Sequence, residues 1–160
     1  MIDPTPMTPI EAITDETLRQ MAAEAKSFLL GHRWCQSVRQ GYLDRAWPGI
    51  LAIFYFEIVS APHSSADDAV WVIVGDLPPA YIDIGSCRDG IAALEGYVGA
   101  MWGWVEAVKE GRSVEEEIPV YYRYSFLEVP PTLEFALMLE QRLCFIEDHL
   151  LPPVASEGED

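Results

Sequence analysis

The residues able to do chemistry in this chain are few and scattered. His32 and Cys35 stand at i, i+3, a spacing that could activate a thiol, although a helix-end histidine beside a buried cysteine is the simpler reading. His63 with Asp67 and Asp68 could hold a metal on a loop, but nothing in the sequence fixes the ligand geometry. Asp76 ends an apolar run, between Gly75 and Pro78-Pro79, with Tyr81 and Asp83 shortly after. Strand ends position side chains rigidly, so Asp76, Tyr81 and Asp83 are the candidate pocket residues. An Asp in that place also satisfies turn amides, and this is the favoured role for Asp76. Glu106, Glu110, Glu115, Glu116 and Glu117 form a candidate acidic patch for a basic partner. Glu110 stands where a helix end prefers a cation, which points away from stability as its purpose. A solvated surface is the default alternative. The sequence holds no HExxH, no Gly-rich phosphate loop, no GxSxG and no Cys/His cluster, so no catalytic residue, metal or cofactor is assigned.

Composition narrows the class. The chain has 160 residues, half of them apolar, which is enough for a sizeable core and argues against disorder in its body. The longest apolar run, 47–56, is too short to span a bilayer. The first eight residues show neither the basic region nor the apolar core of a secretory signal. Three widely spaced cysteines, Cys35, Cys87 and Cys144, suggest buried thiols in a reducing cytoplasm rather than a disulfide framework. The net charge of −16 disfavours direct binding to nucleic acid or an anionic membrane, because phosphate contacts need Lys and Arg. It favours association with a basic protein, mainly through the on-rate.

The elements that must position these residues centre on 51–77. Leu51–Val59 and Val70–Val74 are rich in β-branched and aromatic residues and read as paired central strands. Residues 81–84 suggest a third short strand. Residues 1–7 read as a loose arm, and Thr8-Pro9-Ile10-Glu11 has the form of a capping box opening a short helical turn. Capped by Thr14 or Asp15, Leu18, Met21, Ala22, Ala25, Phe28 and Leu29 mark an amphipathic helix ending near Gly31, with Glu24 mostly off the stripe. Residues 32–44 are ambiguous: Trp34, Cys35, Val38 and Leu43 are compatible with a helix that Gly41 weakens.

A second helix is expected from about Arg88 to Glu110, with Ser86 or Asp89 as its cap and Gly111 as its stop. Its stripe of Gly96, Gly99, Ala100, Gly103 and Ala107 suggests close approach of another backbone within the fold, with a homodimer contact as the alternative use. Residues 118–126 alternate loosely and suggest an extra edge strand. A third helix opens at Thr132 and closes at Pro152-Pro153, followed by an acidic tail at 154–160.

The segments Val70–Tyr81, 93–101, 104–108, 118–120 and 130–132 together resemble a group of small uncharacterised bacterial proteins, over roughly residues 50–150. The resemblance carries no activity and no site residues. It implies a bacterial, cytoplasmic protein and marks 121–128 as an addition to the shared pattern.

These features predict an α+β fold: one domain at 8–153, with a small, mainly antiparallel sheet flanked by three main helices. The first functional expectation is a non-catalytic acidic protein-binding domain, such as an inhibitor or immunity protein neutralising a basic toxin or nuclease. The alternatives are a small-molecule-binding or enzymatic domain with a pocket near Asp76 and Tyr81, and a homodimeric accessory protein.

Overall fold

The computed structural model describes residues 2–64, 68–85 and 87–152. The expected roles of Asp67, the Ser86 cap and the 154–160 tail lie outside the described residues. The fold is α+β, with three α-helices and one five-stranded antiparallel sheet among the described residues. The strands are β1 (Thr8–Pro9), β2 (Cys35–Trp47), β3 (Leu51–Ser60), β4 (Ala69–Gly75) and β5 (Ala80–Asp83), and they lie side by side in chain order. The helices are α1 (Glu16–Leu30), α2 (Gly90–Lys109) and α3 (Leu133–Phe145). Among the described residues no helix is long and apolar enough to cross a membrane.

The chain divides into two compact units, Met1–Tyr97 with Pro119–Val129, and Val98–Ile118 with Pro130–Asp160. In the first, β3 and β4 are the expected central pair, in register from Leu51 opposite Gly75 to Glu57 opposite Ala69. Alternation sends Ala52, Phe54, Phe56 and Ile58 of β3, with Val70, Val72 and Val74 of β4, to one sheet face. There they pack with Met21, Ala22, Ala25, Phe28 and Leu29 of α1. Phe54, Phe56 and Leu29 are wholly buried, and each such side chain contributes roughly 1.5–3 kcal/mol. On the other face the Trp71 indole donates to the Cys87 carbonyl at 2.9 Å, and the Tyr97 hydroxyl donates to the Pro78 carbonyl at 2.7 Å. The rings of Tyr55 and Trp71 lie 5.3 Å apart on that face.

Helix α1 begins as expected at Asp15, whose carboxylate accepts from the Leu18 amide at 3.0 Å. Asp89 caps α2 by accepting from the Ala92 amide at 2.8 Å.

Four expectations need correction. Residues 35–47 form a strand of 13 residues, paired along its length with β3 through three register shifts, and not a helix. Thr8 does not cap the short 3-10 turn at Ile10–Ala12; Pro9 stands at that position without a side-chain bond, and Thr8-Pro9 pairs with Leu43 and Tyr42 of β2. Pro9 has no amide to offer, so it suits an edge. Residues 118–126 add no strand to the sheet; only one bridge, Tyr121 to Glu128, forms there. Among the described residues no other backbone closes on the glycines of the α2 stripe: a Cβ on Gly96 would meet the Cys87 and Ile82 side chains, and one on Gly103 the Glu117 side chain. Gly96 and Gly99 are exposed, and a Cβ on Gly99 would meet nothing within 4 Å.

Gly99 therefore pays the helical cost of glycine with no packing return. Gly99→Ala is expected to raise stability by about 0.5–1 kcal/mol, read as a higher urea midpoint at unchanged slope.

In the second unit, α2 ends at Gly111 (φ +72°), where the Arg112 amide reaches back to the Ala107 carbonyl at 2.7 Å. Thr132 caps α3, accepting from the Phe135 amide at 3.4 Å, and a π-helical turn at Ile146–Leu150 extends it. Lys109 pairs with Glu140 at 3.0 Å, and the Trp102 indole donates to Glu147 at 3.1 Å. Trp104 is buried in this unit, as Tyr97 is in the first.

Candidate functional site

The most developed site in the first unit lies on α1 and is completed by residues 120–129. A helix repeats every 3.6 residues, so Gln20, Ala23, Glu24 and Ser27 share one surface row of α1. Residues 120–129 form a short hairpin against that row. The Val129 amide bonds the Val120 carbonyl at 2.8 Å, and the Tyr122 amide bonds the Leu127 carbonyl at 3.0 Å. Tyr124 turns the chain in the left-handed region (φ +62°), and the Ser125 hydroxyl accepts from the Leu127 amide at 2.8 Å. A turn at this point is why the alternation of 118–126 does not continue as a sheet strand.

Two contacts seat the hairpin. Arg123 meets Glu24 in a two-pronged pair, with Nε to Oε2 and Nη2 to Oε1 both at 3.2 Å. Glu24, expected mostly off the apolar stripe, is only 8% exposed because of this partner. The hydrogen bond that Arg123 donates to Glu24 raises the guanidinium pKa further, and Asp76 adds to it from within electrostatic reach. The second contact is aromatic. Phe126 stacks on Phe28 with ring centres 5.8 Å apart and planes 4° from parallel. Its ring fills the space beside Gly31, where a Cβ would lie 2.0 Å from Phe126 Cζ. Gly31 has an ordinary helical φ of −76°, so it is required here for room and not for backbone freedom.

Behind the seat stands His32, with the rings of Phe28 at 4.7 Å, Tyr81 at 5.0 Å, Trp34 at 5.1 Å and Phe126 at 5.5 Å. Nδ1 is 2.8 Å from the Phe28 carbonyl and so carries the proton. Nε2 is buried with no hydrogen-bond partner among the described residues. Burial lowers the His32 pKa, opposed by the Phe28 and Leu29 carbonyls. The folded state then binds a proton less readily than the unfolded state. Stability from His32 is full above the ordinary value of 6.5 and is lost as pH falls below it toward the depressed folded value. Titrating the urea midpoint from pH 8 to 5 is expected to show this loss, and His32→Phe is expected to flatten that part of the profile.

A cavity of about 590 Å³ opens between the row and the hairpin, lined by Gln20, Ala23, Glu24, Ser27, Phe28, Pro79, Tyr124, Ser125 and Phe126. At the hairpin tip Tyr124 is 72% and Leu127 71% exposed, with Tyr122 and Phe126 also exposed.

Of the expected pocket residues, none lines this cavity. Tyr81 packs beside Phe28, with ring centres 6.5 Å apart. Asp76 lies within reach of Arg123, while its amide closes the turn by donating to the Ile50 carbonyl at 2.9 Å. Asp83 accepts from the Gly85 amide at 3.2 Å, a local turn bond. In the second unit, Glu106, Glu110 and Glu117 gather around Arg112. Glu110 pairs with it at 2.7 Å, and its hydrogen bond is the main cause of the raised Arg112 pKa. Glu115 and Glu116 are exposed on the following loop.

Cys35 is buried, and its thiol pKa is pushed up by that burial, the reverse of an activated nucleophile. Among the described residues no three His, Cys, Asp or Glu side chains gather as metal ligands.

Sequence reasoning missed Glu24, Arg123, Phe28 and Phe126 as site residues. The one signal was the extra segment 121–128, which departs from the pattern of the resemblance. Comparison of the chain with protein-family models, with curated proteins and with solved structures finds no match, so the geometry carries the functional argument.

Proposed function

We propose that this is a non-catalytic protein-binding domain whose contact surface is the tip of the 120–129 hairpin. The observation that carries the reading is the exposure of Tyr122, Tyr124, Phe126 and Leu127 together on a turn held to α1 by an ion pair and a stacked ring. A contiguous exposed apolar group marks an interaction site, and tyrosines supply rigid contact area at low entropic cost. The charge of −16 selects a basic partner. The most concrete form of this function is an inhibitor or immunity protein of a bacterial cytoplasm, covering a basic toxin or nuclease.

The test is capture from native lysate with wild type, with the Tyr124→Ser, Leu127→Asp double variant, and with Glu115, Glu116 and Glu117 changed to Lys. The expected result is one basic protein held by wild type, lost with the hairpin variant, and weakened by the charge reversal mainly at low salt. A partner held equally by wild type and the hairpin variant would overturn the assignment of the surface.

A second reading, a domain that binds a free small molecule, is supported by the cavity itself, whose volume falls in the range of ligand sites.

A further inference from the structure

Among the described residues, His32 Nε2 is the one buried side-chain nitrogen or oxygen without a hydrogen-bond partner. The Nδ1 proton goes to the Phe28 carbonyl at 2.8 Å, so a second proton must join Nε2. A neutral Nε2 forgoes one bond as an acceptor. A charged one needs an oxygen or water beside it, and burial without either costs far more. The faces of the surrounding rings attract a cation and offset part of that cost, but they supply no oxygen.

The groups that could answer the charge are engaged elsewhere. On β5, Tyr81 turns its ring to the imidazole, and Asp83 accepts from the Gly85 amide. On α1, Glu24 holds Arg123, and Lys26 lies within reach of Glu11. On the hairpin, Arg123 would repel the charge, its guanidinium lies over Tyr124, Glu128 lies within reach of Tyr121, and Tyr122 is exposed. Beside His32 in the chain, Arg33 is exposed, and the Cys35 thiol faces the Ser37 carbonyl at 3.7 Å.

The four rings around His32 differ in how firmly they are held. Phe28 stands on α1 and Tyr81 on β5, and the Trp34 carbonyl accepts the Ala61 amide at 2.9 Å. Phe126 stands outside helix and sheet, on the hairpin, and is 49% exposed. Lifting Phe126 is therefore the least costly way to bring water to Nε2. We propose that the 120–129 hairpin is a proton-operated flap, which closes over neutral His32 and lifts off α1 when Nε2 takes a proton. The Arg123–Glu24 pair gives way with it and keeps the flap shut at neutral pH. Burial lowers the His32 pKa in the closed form, whereas water returns it to the ordinary 6.5 in the open form. The open form then binds the proton more readily, so opening gains as pH falls below 6.5. The inference stands apart from the reading of the tip as a contact surface, because the hairpin's own motion tests it with no partner present.

Two measurements on the full chain test it. The first follows the His32 ring resonances by NMR against pH. The pKa is expected below 6.5 in wild type and shifted up toward 6.5 in Phe126→Ala, where water reaches Nε2 without any opening. The second follows hydrogen exchange of the Tyr122 and Val129 amides, corrected for the intrinsic rate. These amides close the hairpin, and a hairpin without its support is marginal in water, so they report the opening. Opening is expected to rise several-fold from pH 7.5 to 5.5, by at most about tenfold for one proton with an open-form value of 6.5. It is expected to exceed that of the Ile58 amide in the sheet at every pH, and to be flat with pH in His32→Phe. An unchanged His32 pKa in Phe126→Ala, or a wild-type value above 6.5, would overturn the proposal. The same pH dependence in His32→Phe would assign the opening to carboxylates and overturn it too, as would hairpin amides that exchange no faster than Ile58. Phe126→Ala trims a half-exposed ring, so the first measurement stands even where His32→Phe fails to fold.

Discussion

Gly75→Ala is expected to lower stability by about 3 kcal/mol or more, measured by urea unfolding. Gly75 ends β4 opposite Leu51 with φ +148°, a region that L side chains rarely adopt. A Cβ there would lie 2.2 Å from the Ile50 carbonyl oxygen and 2.8 Å from Leu51 Cα. These are backbone atoms of the neighbouring strand and its turn, so no rotamer change relieves the clash. The same carbonyl accepts the Asp76 amide at 2.9 Å, so pushing it away also breaks the bond that closes the strand end. Gly49→Ala is the matched control. Gly49 also has a positive φ, +78°, but a Cβ there would meet nothing within 4 Å. It is expected to lose only about 1–2 kcal/mol from the left-handed conformation. Equal losses at the two positions would mean that conformation alone, and not the close approach, fixes Gly75.

The second large effect is expected at the ion pair. Arg123→Met is expected to cost about 2 kcal/mol, because it leaves the Glu24 carboxylate without its partner in a buried position. The Glu24 side chain is 4% exposed against 33% for Arg123. That third of exposure keeps the loss below the range for fully buried pairs, since water can reach the guanidinium side. Adding Glu24→Leu is expected to recover most of the loss, because the carboxylate that needed the partner is then gone. A double-mutant cycle of urea midpoints measures this coupling. If the second change adds to the loss instead, Glu24 has a supporting role beyond Arg123.

Local signals on the chain foretold much of the fold. The β-branched runs of β3 and β4 are buried on both faces, so their near-continuous hydrophobicity is itself the mark of a central strand. Asp15, Asp89 and Thr132 act on amides three residues away, and such caps can be read from neighbours alone. Strand β2 was not legible because its pairing with β3 slips between Cys35 and Ser37, between Val38 and Gln40, and between Leu43 and Arg45. Each slip shifts the phase of the alternation. Trp34, Cys35 and Val38 then fall at spacings that also suit a helix. Gly41, which weakened that helix, is small because the Phe56 ring lies against it.

The candidate site depends on partners that spacing cannot reveal. Glu24 looks like a solvated helix residue until Arg123 is placed beside it. Gly31 looks like an ordinary helix stop until the Phe126 ring is placed on it. Asp76 and Tyr81 stand out because strand ends are visible in sequence, and neither lines the cavity.

The Arg123–Glu24 pair joins residues separated by 99 positions. At ~5–20 residues per second, a ribosome needs roughly 5–20 s to travel between them. Once β5 has been made, at Asp83, α1 and the sheet can be complete for roughly 2–9 s while Phe28, His32, Trp34 and Tyr81 have no Phe126 to cover them. The nascent chain therefore displays an aromatic face during its own synthesis, and that face is where a chaperone would hold it. The hairpin is then the last part of the first unit to dock, and it should be the first part to open in hydrogen exchange.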